Sequence, residues 1–474
     1  MKLHNTLTKK IEDFTPAGEI VKLYTCGPTV YHYAHIGNLR NVVFNDTLRR
    51  ILQVSGLQVN HVMNITDVGH LVSDADEGED KLEKGAARDG KTVWEVADFY
   101  IAAFRQHTTA LNVLSPSRVT RATDAIPAQV EIIRLLIEKE FAYISKQAIY
   151  FDVSKLDDYG KLSGQKLADK EIGARGEVVV DRGKRNPQDF ALWFFTVGHY
   201  KNHQMHWDSP WGDGFPGWHL ECSAIIHQEL GETIDIHTGG VDHIGTHHTN
   251  EIAQSEAAFG KPLARFWLHN EFLHQDGGKM SKSGAETITL DDVVKRGYDP
   301  LALRLFYLQS HYRSEANFSW ENLEAANSRL IKWRAFADLR FQPMRAEVDP
   351  PGFDKILFDE VRRSVTSQLA NDLNTPEAIT WLDSLSDSIQ YVRPHRLPVF
   401  TATLQHFDNV LGLDLLGTED ISDAQKQLIA ERENERAKAR QNEDWTLVNS
   451  LKDRLLEQGI GLRDTEHGTV WHRL

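Results

Sequence analysis

The sequence predicts a doubly wound parallel α/β domain, carrying a mixed α/β insertion and followed by a C-terminal helical bundle. Three observations lead there. Glu19–Thr25 and Val59–Ile65 have the β-branched, alternating composition of strands, and each runs into a cluster of small and polar residues. Between them, Leu39, Val42, Val43, Ile51 and Leu52 fall near helical spacing and Gly56 closes the run, as a βαβ unit requires. Beyond Leu290 the apolar residues recur at helical spacing for most of the remaining chain.

The chain of 474 residues is long enough for roughly three domains of ~150 residues. With 41% hydrophobic and 26% charged residues it matches an ordinary soluble protein. No apolar run approaches a membrane span, and Met1-Lys2-Leu3-His4-Asn5-Thr6 lacks a signal-peptide core, so the expected location is cytoplasmic. The two cysteines, Cys26 and Cys222, are too far apart in sequence to read as a disulfide framework, which leaves metal binding or catalysis open. A net charge of −15 argues against a non-specific nucleic-acid binder but allows a selective RNA partner on a local basic face. The basic residues among Arg432–Arg440 are candidates for such a face.

In chain order, residues 1–113 form the first half of the nucleotide-binding fold. Tyr24–Asn38 joins a strand, through a tight loop, to a helix N-terminus, whose exposed amides and positive dipole end favour phosphate. His35-Ile36-Gly37-Asn38 places an imidazole, a residue without a side chain and an amide beside that anion, and Cys26 lies on the loop before them. The acidic run Ser73–Lys84 is a solvated loop and helix start without EF-hand spacing. Thr92–Leu111 is an amphipathic helix.

Residues 114–215 form the insertion, with a helix at Ala128–Lys139 and strand-like runs at Ala142–Ile144, Ala148–Val153, Val178–Asp181 and Phe190–Phe195. Residues 216–290 resume the first fold, with a helix after Cys222, a strand at Thr233–His237, a turn at Gly239-Gly240 and a helix opening at His247. A strand-like Phe266–His274 follows, then a glycine turn and Lys279-Met280-Ser281-Lys282-Ser283. Residues 291–420 carry bundle helices at Leu301–Leu308, Leu323–Leu339, Phe353–Leu369 and Ile379–Val392. Residues 421–474 continue with Leu428–Ala439 and Asp444–Gln458 and end in a short extended tail.

His247 and Glu251 are four apart at a helix start, so both project from one face. With Cys26 and Cys222 they make two soft and two harder donors, a mixture tetrahedral zinc accepts. Taken singly, each has a plain alternative: a surface helix pair, or a thiol filling the core. Lys279 and Lys282 flank Ser281 where flexible cations can follow charge developing on a transferring phosphoryl group, unless they form only a solvated basic loop. Asp242 suits ribose hydroxyls, or equally a helix cap.

These motifs together resemble the cysteinyl-tRNA synthetase family, within the class I aminoacyl-tRNA synthetases. His35-Ile36-Gly37-Asn38 is similar to the family's HIGH signature, and Lys279–Ser283 matches KMSKS letter for letter. Cys26–Tyr31, Asn64–Asp67, Gly217–Ala224 and Asn250–Ser255 resemble further family blocks, and Gly461–Thr465 with Gly468–Trp471 resembles its closing segment. The resemblance implies a Rossmann-like catalytic domain, with tRNA-stem contacts in 291–420 and anticodon-side helices in 421–474. It implies zinc ligands Cys26, Cys222, His247 and Glu251, and an amino-acid pocket shaped by Thr66, Trp218 and His237. It assigns ATP to His35, Gly37, Asn38, Gly239, Gly240, Asp242, Lys279 and Lys282, with Mg2+ accompanying the nucleotide. The implied partners are cysteine, ATP and tRNA(Cys), and the implied state is a monomer.

The metal has a physical purpose in that reading. A hydroxyl and a thiol are near-isosteres that shape alone separates by only about 10–200-fold. A zinc-bound thiolate is a softer, stronger ligand than a neutral hydroxyl. The chain departs from the family at Asn38, where His is usual, at Thr246 and Thr249, which replace Pro and Glu, and in the longer, more acidic segment from Val68 to Thr92. Two rivals share parts of the pattern. A mycothiol-type ligase joining cysteine to an amino sugar does not need the long helical C-terminal region, and a non-catalytic zinc- or RNA-binding paralogue does not need the lysine loop. A zinc hydrolase would need His-Glu-x-x-His, which is absent.

Overall fold

The computed structural model describes residues 1–68, 71–73, 77–164, 183–275, 278–279, 287–342, 356–387, 392–465 and 468–473. The chain folds into two units, Met1–Asp292 with Tyr312–Asn317, and Val293–His311 with Phe318–Leu474. The expected strand Val178–Asp181 and most of the Lys279–Ser283 motif lie outside the described residues.

The first unit is built on a five-stranded parallel sheet. Its spatial order is Ala264–Asn270, Ile234–Gly240, Ile20–Thr25, Gln58–Ile65 and Arg118–Arg121. From the central Ile20–Thr25 the chain winds one way through Gln58–Ile65, then returns to the other side at Ile234–Gly240. The reversal puts a crevice at the carboxyl ends of the two middle strands, where doubly wound sheets bind ligands. Val21, Leu23, Tyr24, Ile234 and Ile236 are essentially inaccessible, as strands covered on both faces should be. Burying each such aliphatic side chain contributes about 1.5–3 kcal/mol.

Three expected boundaries move. Arg118–Arg121 pairs with Asn64 and its neighbours in the parallel sheet, so the catalytic layer reaches past the division placed at 113/114. The insertion is a four-stranded antiparallel sheet in the order Gly214–Pro216, Phe190–Phe195, Ala148–Phe151 and Ala142–Ile144. Its edge strand Gly214–Pro216 was hidden by its glycine and proline. A Cβ at Gly214 would lie 2.1 Å from the Phe194 carbonyl oxygen, so the glycine is what lets that strand approach. The strand-like run 266–274 is two strands, Ala264–Asn270 and Leu273–Gln275. In the acidic run, Asp80 caps the helix Lys81–Asp89 through the amides of Leu82 and Glu83.

The second unit is helical: Pro300–Leu308, Trp320–Ala337, Ile356–Leu369, Thr375–Ser386, Leu397–Leu411, Asp423–Gln441 and Trp445–Leu456. Leu397–Leu411 was not expected from the sequence. It ends at Gly412 in the left-handed conformation (φ 66°), where a Cβ would meet the buried Arg304 guanidinium at 2.7 Å. The tail is not merely extended. Ile460–Thr465 and Gly468–Arg473 form an antiparallel hairpin, and the Gln342 side chain bonds the Trp471 backbone from both its amide ends. Of the Arg432–Arg440 cations, Arg436 is buried and donates to Glu433 and Asp464, while Arg440 pairs with Asp464 and Arg432 with Glu435 at the surface, and Lys438 is exposed.

Although burial alone would raise the Asp464 pKa, Arg440, Arg436 and Thr469 hold it down at about 2. A depressed carboxylate stabilises the fold above its unfolded pKa and loses that contribution as pH falls through the folded value. Asp464→Asn is therefore expected to lower stability at pH 7 by about 1 kcal/mol or less, the half-exposed pair being screened by solvent. In paired thermal melts the difference from wild type should close as pH falls from about 4 to about 2.

Candidate active site and metal centre

The crevice above the sheet opens into a cavity of about 340 Å³ lined by loops and helix starts from both sides of the crevice. On one side, Thr25 ends its strand and Cys26–Ala34 crosses to the helix Ile36–Val54. His35 caps that helix. Its Nδ1 accepts the Asn38 backbone N–H at 3.1 Å, while the Asn38 side-chain oxygen accepts the His35 N–H at 3.3 Å, a reciprocal capping box. Asn38 thus has a structural reason to stand where a histidine is usual. Because Nδ1 is an acceptor, the neutral ring carries its proton on Nε2, as a donor. His35, Gly37 and Asn38 all line the cavity, and the first turn of the helix holds no acidic side chain to compete with an anion.

On the other side, Thr238 pairs with Thr25 in the sheet and its carbonyl accepts the Cys26 N–H. The chain then turns through Gly239, Gly240 and the 3₁₀ turn Val241–His243. Gly240 and the exposed Asp242 line the cavity; Asp242 sits within the turn and caps no helix. Gly239 faces elsewhere: a Cβ there would meet the rings of His248 and His243 at 2.6 and 2.7 Å, so it makes room for imidazoles.

At the base of the cavity the four sequence-predicted metal ligands converge. The Cys26 and Cys222 sulfurs, His247 and Glu251 each offer a ligand atom, and these atoms lie within 4.8 Å of one another. All four residues are buried. Cys222 Sγ is 3.5 Å from His247 Nε2, close to the separation of about 3.6 Å between sulfur and nitrogen on one tetrahedral zinc. His247 Nε2 lies 2.7 Å from Glu251 Oε1, yet that oxygen makes no aligned hydrogen bond. An orphaned buried oxygen beside an unaligned ring nitrogen is what two ligands aimed at a common ion leave behind.

The electrostatics also call for a cation. Burial pushes both thiols up, that of Cys222 far up. Burial alone would lower His247, but Glu251 and Cys222 beside it raise its proton affinity. Burial would raise Glu251, and His237 and His247 hold it well below the usual carboxylate range. A site that raises the proton affinity of an imidazole between sulfur and carboxylate favours a positive charge, and zinc supplies one. The residues present fit that ion.

His237, expected in the pocket wall, is wholly buried, and its Nε2 lies 2.6 Å from Glu251 Oε2, as a group that orients a metal ligand would. A second four-donor set, Cys26, His237, His248 and Glu251, overlaps the first. His248 was not singled out in the sequence. Its Nε2 is 3.4 Å from Cys26 Sγ, and its Nδ1 is 2.7 Å from His269, which in turn contacts Thr6. The adjacent His247-His248 pair was the available signal. Burial holds His248 and His269 far below the ordinary histidine value, so both are neutral.

Thr66 and Trp218 line the cavity beside the cysteines. Trp218 lies against His247, ring centroids 4.4 Å apart. Lys282 lies outside the described residues, and of Lys279 only the backbone, in the short strand Gly278–Lys279, is described.

Residues 14–328 match the family model of the tRNA synthetases class I (C) catalytic domain. A cysteine–tRNA ligase of Treponema denticola is 41% identical, covering the whole of both chains. Cysteine–tRNA ligase 1 of Burkholderia lata is 43% identical over 99% of this chain and 96% of its own. This chain belongs to the cysteine–tRNA ligase family of class I tRNA synthetases. Family membership agrees with the parallel sheet and crevice. Among solved structures, the Mycobacterium tuberculosis methionyl-tRNA synthetase complex with methionyl-adenylate superposes with a TM-score of 0.56 at 15% identity. It covers 84% of this chain and 89% of its own, a likeness of fold.

Glu251→Gln tests the donor set. Removing the carboxylate leaves His237 and His247 without their anion, and the protein is expected to lose most of its zinc. Metal content per chain after gel filtration measures this, and a stoichiometry equal to wild type would contradict the ligand role.

Proposed function

We propose that this chain activates cysteine with ATP and transfers it to tRNA(Cys), selecting the amino acid through a zinc ion on Cys26, Cys222, His247 and Glu251. The observation that carries the reading is the meeting of two sequence-distant sulfurs with His247 and Glu251 at the base of a cavity whose mouth holds a capped helix N-terminus. Family membership supports the ligase activity over its rivals. Bound zinc would take the substrate sulfur as a thiolate, which a serine hydroxyl does not match.

The chain's own groups do the rest. Trp218 and Thr66 border the space left for the amino acid, which limits side-chain bulk. The helix start at Ile36, with the His35 Nε2 proton and Asn38, holds the ATP phosphates so that the cysteine carboxylate can reach the α-phosphorus. Attack there forms cysteinyl-adenylate and releases pyrophosphate. Asp242 accepts hydrogen bonds from the ribose, and Lys279 and Lys282, with Mg2+ on the nucleotide, balance charge on the departing phosphates. A terminal ribose hydroxyl of the tRNA then attacks the acyl carbon and AMP leaves. The helical second unit supplies the length of surface a tRNA needs and a small acceptor does not.

Amino-acid-dependent ATP–pyrophosphate exchange tests the selection. Wild type should prefer cysteine over serine by more than the roughly 200-fold that shape alone provides. Cys222→Ser should lose zinc, and its preference should fall into or below that range. Unchanged metal content and selectivity in Cys222→Ser would reject the assignment.

A further inference from the structure

Glu221 is a buried carboxyl that the proposed chemistry leaves unused. It precedes Cys222 on the helix Leu220–Leu230 and has no solvent exposure. Its Oε2 accepts the Thr66 hydroxyl proton at 2.7 Å. Thr66 Oγ1 accepts from Asn64 Nδ2 at 3.1 Å, and Asn64 Oδ1 accepts the Gly27 N–H at 2.7 Å. The other oxygen, Oε1, has no partner among the described residues. A half-satisfied buried acid is expensive to keep, so its retention calls for a reason.

The chain of bonds runs from the neighbour of one cysteine to the neighbour of the other. Its links are stiff. Thr66 is held to the Cys26 loop by its backbone as well, its N–H on the Pro28 carbonyl and its carbonyl on the Val30 N–H. Gly27 lies so close to the strand end that a Cβ would fall 1.8 Å from the Asn64 carbonyl oxygen. A shift of Thr66 or Asn64 therefore moves the loop that carries Cys26, while Glu221 moves with the helix that carries Cys222.

We propose that Glu221 is a positioning residue which, through Thr66 and Asn64, sets the spacing of the Cys26 and Cys222 sulfurs and fixes Thr66 in the wall of the amino-acid pocket. This rests on the zinc reading above. Glu221 reaches neither substrate nor metal directly; it acts by fixing two groups that do.

The test loads metal-stripped full-length protein with cobalt(II), whose visible and thiolate charge-transfer bands report ligand geometry, and separately titrates zinc. Glu221→Ala is expected to shift the cobalt bands, to weaken zinc binding by about 10–100-fold, and to raise KM for cysteine while KM for ATP holds. Glu221→Gln keeps an acceptor for Thr66 and should restore spectrum and KM towards wild type, which a role in bulk stability would not predict. Thr66→Val cuts the same chain without touching Glu221 and should shift the same bands, so the test survives if Glu221→Ala does not fold. Unshifted bands and unchanged zinc affinity in Thr66→Val and in the Glu221 variants that fold would overturn the proposal. A wild-type protein that takes up no cobalt would instead refute the zinc reading itself.

Discussion

The pairing of Thr25 with Thr238 in a parallel sheet is the constraint on which the site depends. Two strands from distant parts of the chain end side by side, and each hands its next residues to the same crevice. Cys26 leaves one strand and is tied to the other by its N–H on the Thr238 carbonyl. Cys222 and His247 arrive on helices that flank the second strand. None of these groups is near another in sequence. The hydrogen bonds of the sheet, bought with the burial of residues such as Leu23 and Ile236, are what bring them within reach.

Given that convergence, charge decides how the groups behave. Buried together, these groups shift one another's proton affinities: Glu251 and Cys222 raise that of His247, and His237 and His247 hold Glu251 well below the usual carboxylate range. His237 holds the far oxygen of Glu251, while His248 and His269, neutral in their burial, fill the space behind Cys26. Cys26, Cys222 and His247 line the cavity, and Glu251, held by His237, completes the set away from its wall.

Much of this was legible in the sequence because the motifs are local and the chemistry strict. The helix start at His35–Asn38, the i, i+4 pair of His247 and Glu251, and the placement of both cysteines near element ends could be read from spacing and residue type. What comes to lie against a residue is not written in local spacing. Glu251, from the neighbouring helix, meets His237 Nε2, Gly239 makes room for His243 and His248, and Asp464, on a hairpin not expected from the sequence, pairs with Arg436 and Arg440.

The sequence by itself determined the fold class, the strands and helices on either side of the crevice, and which side chains have the chemistry for zinc, phosphate and thiol. Those follow from periodicity, capping and residue type, which act over a few neighbouring positions. Only the tertiary structure decided which donors share a centre, which oxygen of Glu251 faces His247, and that Glu221 links the two cysteine-bearing elements. These are contacts between residues far apart in the chain, and their geometry exists only once the sheet has fixed its register.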